Sequence, residues 1–314
     1  MIITIIGLFI AFYLGGMHAV YITALLAILE ISLSFDNAVV NAKVLSTMEP
    51  MWQKRFITYG IPIAVFGMRF LFPIAIVAIV GSMGMFDTLN LAINNPKEYH
   101  HMLESSKELI FAFGGSFLLM VFLDFFFDSG RDDKWIEILE NNKAINKIGK
   151  IENIELIIAI GIGLLLTNIT DSVSISLAYF SGIFLHSIIA SLDHILSTDG
   201  VRSGLMGFLY LEVLDASFSF DGVIGAFALS SDIFIIMIGL GIGAIFVRSL
   251  TIYFVDKKTL KSFIYLEHGA HYAILALSVV MFVKIFHEVS EILVGTIGIF
   301  FIGLSLYHSI KKKK

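Results

Sequence analysis

Long uninterrupted apolar stretches constrain this chain more than any other feature. A helix needs about 20 apolar residues to cross a bilayer. The sequence offers ten such stretches, at roughly 2–15, 18–47, 55–82, 107–127, 153–167, 171–197, 204–230, 232–255, 263–286 and 289–310. The first and fifth are short enough to be re-entrant or tilted, and the second is so long that it must tilt or break. Composition agrees: 57% of residues are hydrophobic and 15% charged, with mean hydropathy +0.89, whereas a soluble domain is about one-quarter charged. The expected class is all-α, a polytopic membrane protein with the lipid bilayer as its first partner. The first apolar run has no basic n-region and no A-x-A site, so it reads as a retained helix rather than a signal peptide.

Other classes drop out quickly. Cysteine is absent, which excludes disulfides, thiolate metal sites and cysteine nucleophiles. A net charge of -5 gives no sign of nucleic-acid binding. No H-E-x-x-H or G-x-S-x-G motif is present, so an intramembrane enzyme is not expected.

Lys and Arg in short loops set membrane orientation. The tail Lys311–Lys314 belongs in the cytoplasm, and so do the turn with Lys54 and Arg55, the loop with Arg202, and the loop with Lys257, Lys258 and Lys261. Ten spans put both termini in the cytoplasm of a cell with an inner membrane, and place the 83–106 loop outside. The segment 128–152 is the one long charged stretch between spans, expected to be cytoplasmic. Its spacing around Trp135, Ile138 and Leu139 predicts a short amphipathic helix, a hinge between an N-terminal half (1–150) and a C-terminal half (151–314).

The halves carry a repeat. Glu30-Ile-Ser-Leu-Ser-Phe-Asp36 in the second span matches Asp215-Ala-Ser-Phe-Ser-Phe-Asp221 in the seventh, with acid, Ser, Ser, Phe and Asp at identical spacing. Gly60 to Arg69 likewise matches Gly239 to Arg248. An odd number of spans separates the copies, so they run in opposite directions. That is an inverted-topology repeat, whose site is expected near the midplane between the copies.

A carboxylate at mid-bilayer costs at least about 2.5 kcal/mol. Glu30, Asp36, Glu212, Asp215 and Asp221 therefore need protons, cations or arginine partners, and Arg69 with Arg248 can neutralise at most two. Residues six apart on a regular helix do not share a face, so Glu30 and Asp36 converge only if the helix unwinds between them. Ser32 with Asp36, Glu30 with Ser34, and Asn37 with Asn41 make polar stripes at four-residue spacing. Ser217 and Ser219 repeat the pattern in the second copy. The donors are carboxylate, amide, hydroxyl and carbonyl oxygens, a set suited to Mg²⁺, Ca²⁺ or Mn²⁺. The competing reading is structural, with acids paired to Arg69 and Arg248 and small polar residues joining helices.

Other polar residues rank lower. Asp171 reads as a helix cap, Asp193 and His194 as the inner mouth of a span, Asp124 and Lys284 as snorkelling span ends, and Glu267, His268 and His271 as a hydrogen-bonded cluster. Gly114-Gly115 and Gly241-x-Gly243 read as close helix packing.

The string Leu29-Glu30-Ile-Ser-Leu-Ser-Phe-Asp36-Asn37-Ala-Val-Val resembles the signature of TerC-type membrane proteins, and the second copy ending Phe220-Asp221-Gly222 fits the same pattern. The run Ala64-Val-Phe-Gly-Met-Arg69 resembles a subgroup described only as a domain of unknown function. TerC-type proteins belong to a superfamily with the exporter LysE and are associated with tellurite resistance and manganese export. The resemblance implies Glu30, Asp36, Asn37, Asp215 and Asp221 as metal ligands, with Gly222 departing from the Asn of the first copy. It implies a secondary transporter exporting a divalent cation, Mn²⁺ ahead of Ca²⁺ or Mg²⁺. The alternative is a non-transporting membrane partner that metallates or scaffolds exported proteins.

Overall fold

A computed structural model describes residues 2–128, 130–131, 133–196, 204–227 and 229–313. These residues form helices and no strand. In order they are α1 (Ile2–Leu33), α2 (Phe35–Ser46), α3 (Pro50–Val80, with π-helical turns over Ile63–Leu71), α4 (Met85–Asn94), α5 (Pro96–Ser105) and α6 (Lys107–Phe127). Then come the short α7 (Glu137–Glu140) and α8 (Lys143–Ile148), followed by α9 (Ile154–Thr170), α10 (Val173–Leu196), α11 (Gly204–Phe227), α12 (Ile233–Asp256), α13 (Thr259–Ser262), α14 (Leu266–Lys284) and α15 (Glu291–Lys313).

Seven of these helices are long and apolar enough to cross a membrane, against the ten stretches expected from sequence. The difference has three sources. α9 is apolar but only 17 residues long. α11 matches α10 in length but carries Glu212, Asp215 and Asp221. The first stretch and the first part of the second lie in α1, which folds back on itself at Gly15 and Gly16, where the backbone leaves the helical region and Gly16 has φ +66. A left-handed φ is cheap only without a Cβ. Gly7 lies against Ile238 and Ile242, whereas Leu26 meets Gly239 and Glu30 meets Gly243. The arms 2–14 and 17–33 therefore run in opposite directions along α12.

α6 sits at the centre, packed on α10 and α14, with Phe117, Leu118 and Ala112 fully enclosed. Gly114 and Gly115 let Met281 and Phe282 of α14 approach its backbone, the close packing their pairing predicts. α12 packs on α1, α2 and the π-helical part of α3, so elements of the two sequence halves interlock. The 83–106 loop is itself helical. α4 and α5 bury Ala92, Tyr99 and Leu103 in a cluster with Ile22, Ile74 and Phe227, sealing one end of the bundle.

The segment 128–152 differs from the amphipathic helix expected. Its helices last four and six residues, because tertiary partners capture the side chains that would have formed an apolar stripe. Trp135 is buried, stacks near Tyr265, and donates from Nε1 to His308 Nδ1 at 2.9 Å. Ile138 stays exposed at 82%. Glu140 is 3% exposed and meets Arg131 at 3.3 Å, His268 at 3.3 Å and the Tyr272 hydroxyl at 3.1 Å. Burial alone would raise its carboxyl. The hydrogen bond and charge of His268, then the charge of Arg131, outweigh burial and hold the group down at about 2. Through Glu140 and Trp135 the segment is strapped to α14 and α15.

Candidate cation site

Ser34 ends α1 with φ -109 and ψ 15, and α2 begins one residue later. Ser34 N still bonds Glu30 O at 3.0 Å, so the break is a bend rather than a gap. Ser at such a position can satisfy a neighbour with its side chain, and Ser34 Oγ donates to Glu30 Oε1 at 2.9 Å. The bend sends Glu30 and Asp36 different ways.

Glu30 points toward α11 and α12. Gly243 leaves room for its Cβ and Cγ, and Gly222 lies close to Oε2. Arg69, carried by the π-helical turns of α3, donates to Glu30 Oε1 at 2.5 Å and to Ala64 O at 2.8 Å. Its other nitrogen reaches Asp215 Oδ2 at 3.9 Å.

Asp215 is the hub. Arg248 of α12 donates to its Oδ2 at 2.9 Å, and Asn37 Nδ2 donates to its Oδ1 at 2.6 Å. Arg248 also pairs with Glu212 at 3.0 Å, donates to Phe56 O at 3.2 Å, and lies over the Phe56 ring at 4.1 Å. Gly60 provides the space for this guanidinium. All five charged residues are 5% exposed or less. Burying unpaired charge costs far more than burying a paired one, and here each carboxylate finds a guanidinium.

Three carboxylates face two guanidiniums, which leaves one negative charge in surplus. Asn37 Oδ1, Asn41 Oδ1 and Ser219 Oγ are buried with no hydrogen-bond partner. Such orphaned oxygens are uncommon in folded proteins. Arg69 Nε is likewise buried without a partner, so donor and acceptor atoms are both left over beside the surplus carboxylate. Among the described residues no group of three or more His, Asp or Glu side chains is placed to hold a metal ion; the acids converge on arginine.

Asp36 lies apart. It is 4% exposed, accepts its neighbour's backbone N–H from Asn37 at 3.0 Å, and lines a small cavity of about 10 Å³ with Leu277, Val280, Ile297 and Gly298. No cation pairs with it among the described residues. Asp221 lies within α11, but its side chain is outside the described residues. Ser32 faces Gly295 of α15, and Ser217 bonds back to Val213 O at 3.0 Å, so neither joins the cluster.

The lower-ranked residues divide. Glu267, His268 and His271 do not form one cluster. Glu267 pairs with Lys43 at 2.8 Å, His268 with Glu140, and His271 with Glu267 O at 2.8 Å. Lys284 does not snorkel; it is buried, 5.6 Å from the Phe111 ring. Asp171 sits at the C-cap of α9 in a left-handed conformation. The role of Phe56 was invisible in sequence, because a backbone carbonyl carries no residue signature.

A family described as "Protein of unknown function (DUF475)" has a model that matches residues 35–314. No curated protein and no solved structure matches the chain.

Proposed function

The chain belongs to the DUF475 family, and we propose that within it this protein is a multi-pass membrane transporter of a divalent cation. The observation that carries the reading is the oxygen surplus around Asp215: three buried carboxylates against two arginines, beside the orphaned amide oxygens of Asn37 and Asn41. Hard divalent cations take six or more oxygen ligands, and carboxylates with amide and hydroxyl oxygens are the donors present.

In this reading Arg69 and Arg248 are tethered counter-ions of the unloaded site. An incoming cation competes with them for Glu30 and Asp215, so loading and arginine release are coupled. The repeat supports a site between inverted halves. Equivalent arginines pair with equivalent acids, Arg69 with Glu30 and Arg248 with Asp215. α1 packs on α12 as α11 packs on α3. The TerC-like motif around Glu30 and Asp36 favours Mn²⁺ and export, from an inner membrane with both termini cytoplasmic.

A second reading is favoured by the same ion pairs: a charge-compensated lock that joins α1, α3, α11 and α12 in a non-transporting scaffold. Purified protein in liposomes separates the two. The transporter reading expects Mn²⁺ flux that Asp215→Asn and Glu30→Gln abolish and that Glu98→Gln, at an exposed position of α5, leaves intact. Absence of flux for Mn²⁺, Ca²⁺ and Mg²⁺ by well-folded parent protein would leave the scaffold.

A further inference from the structure

The segment 128–152 is held at the level where apolar helices end. A Cβ at Gly149 would lie 3.2 Å from the ring of Phe127, the last residue of α6. Trp135 donates to His308 in the last turns of α15, and Lys312, one residue before the end of α15, meets Asp133 at 3.3 Å. Both α6 and α15 are long and apolar enough to cross a membrane. Their shared end therefore sits where acyl chains give way to lipid headgroups.

The second half of the segment has its own composition. Residues 141–151 read Asn-Asn-Lys-Ala-Ile-Asn-Lys-Ile-Gly-Lys-Ile, with three lysines and no acid. Lys143 and Lys147 are four apart in α8 and share a stripe. Half-buried Ile145 and exposed Ile148, three apart, lie beside it. Lys143, Lys147 and Lys150 are exposed, and no acid pairs with them among the described residues. Glu137, Glu140 and Glu152 flank the stretch, and Glu140 is already taken up by Arg131 and His268. Ile148 is 43% exposed and Ile151 50%, while Ile138 of α7, which packs on α8, is 82% exposed.

Single exposed apolar residues are ordinary on any protein. Here they stand among lysines, at the ends of apolar helices. Isoleucines at that depth enter the acyl boundary, and lysines lay their stems along it while their ammonium groups reach the phosphates. We propose that residues 143–151 form an interfacial anchor that binds the headgroups of anionic phospholipids, with Lys311 and Lys312 at the end of α15 extending the same basic surface. The exposed isoleucines favour lipid over a soluble acidic partner, which charge alone would hold. Glu140 and Trp135 tie the segment to α14 and α15, so anionic lipid on this side bears on the bundle itself. The anchor does not rest on the transport reading.

The chain has no cysteine, so one introduced cysteine takes one spin label. The full chain is reconstituted in vesicles of phosphatidylcholine with or without phosphatidylglycerol. Labels are placed at Ile148→Cys and Ile151→Cys, with Asn146→Cys, about 200° from Ile148 around α8, as the water-facing reference. Oxygen concentrates among acyl chains and a nickel chelate stays in water, so their collision rates read depth. With phosphatidylglycerol, both isoleucine positions are expected in the bilayer and Asn146 in water. Reversing Lys143→Glu, Lys147→Glu and Lys150→Glu together should lower the docked-to-free ratio of the Ile148 label at least about fivefold, the effect of about one lysine at an anionic surface. Isoleucine labels as water-exposed as Asn146 would overturn the anchor and leave a solvated or protein-binding face. Equal docking without phosphatidylglycerol, or unchanged docking after charge reversal, would overturn headgroup binding. If the reversed variant does not fold, salt decides on the parent: high salt should release the Ile148 label, and docking that ignores salt overturns the proposal. Metal flux is no part of the readout, so this inference and the proposed function fail separately.

Discussion

Arg69 and Glu30 meet at 2.5 Å with both side chains at most 2% exposed, across α1 and α3, which the chain joins through the bend at Ser34, α2 and the turn at Thr47–Glu49. Removing one partner of such a pair leaves a buried charge alone and typically costs about 3–5 kcal/mol. Arg69→Leu should therefore lower thermal stability in detergent sharply, and Glu30→Gln made in addition should restore part of it. Two single variants whose losses simply add would show that the pair is not coupled.

Gly60 and Gly243 are the clearances through which the charges reach their partners. Gly243→Ala would place a methyl 2.5 Å from Glu30 Cβ, and Gly60→Ala would collide with the Arg248 guanidinium. Each should destabilise by about 1–3 kcal/mol through overpacking. Gly161→Ala, with nothing within 4 Å, should instead gain up to about 1 kcal/mol from helix propensity. Equal effects at all three positions in thermal unfolding would remove the packing argument.

Glu140 predicts an acid limb of stability. Its carboxyl ionises at about 2 in the folded protein against 4.5 ordinarily. Its contribution is therefore complete above pH of about 4.5 and is lost as pH falls toward 2, up to about 3 kcal/mol. Melting curves of the parent should fall through that window, and those of Glu140→Gln should be flatter. Parallel curves would mean that the strap holds without this charge.

Orientation is testable by fusion. The positive loops place Lys314 and Asn95 on opposite sides of the membrane. Reporters at the two positions should give opposite signals, and matching signals would defeat both the orientation and the inverted repeat.

The long helices were legible because apolar run length is a local property. The stretch 107–127 coincides with α6, and the long second stretch, expected to tilt or break, bends at Ser34. The Arg69–Glu30 and Arg248–Asp215 pairs were foreseeable from matched positions, although sequence could not say whether metal or arginine would face the acids. The rest was hidden by distance along the chain. Glu140 looks like a solvated linker acid until α14 brings His268 and Tyr272 against it. Likewise, His271 and Asp124 share a cavity only through the packing of α6 on α14. The α4 and α5 helices were missed because their apolar residues face one end of the bundle and form no long run.

The π-helical turns over Ile63–Leu71 have a consequence for chain length. Gly60 stands as far before Arg69 as Gly239 stands before Arg248, yet α12 winds as a regular α-helix and α3 does not. A π-turn accommodates one residue more than an α-turn. Deleting a single residue from the regular turn at Gly60–Pro62, just before the π-helical segment, would turn the guanidinium by about 100° around the helix axis. Hydropathy and net charge would be unchanged, yet Glu30 would lose its partner. In this stretch an insertion or deletion acts as a charge mutation.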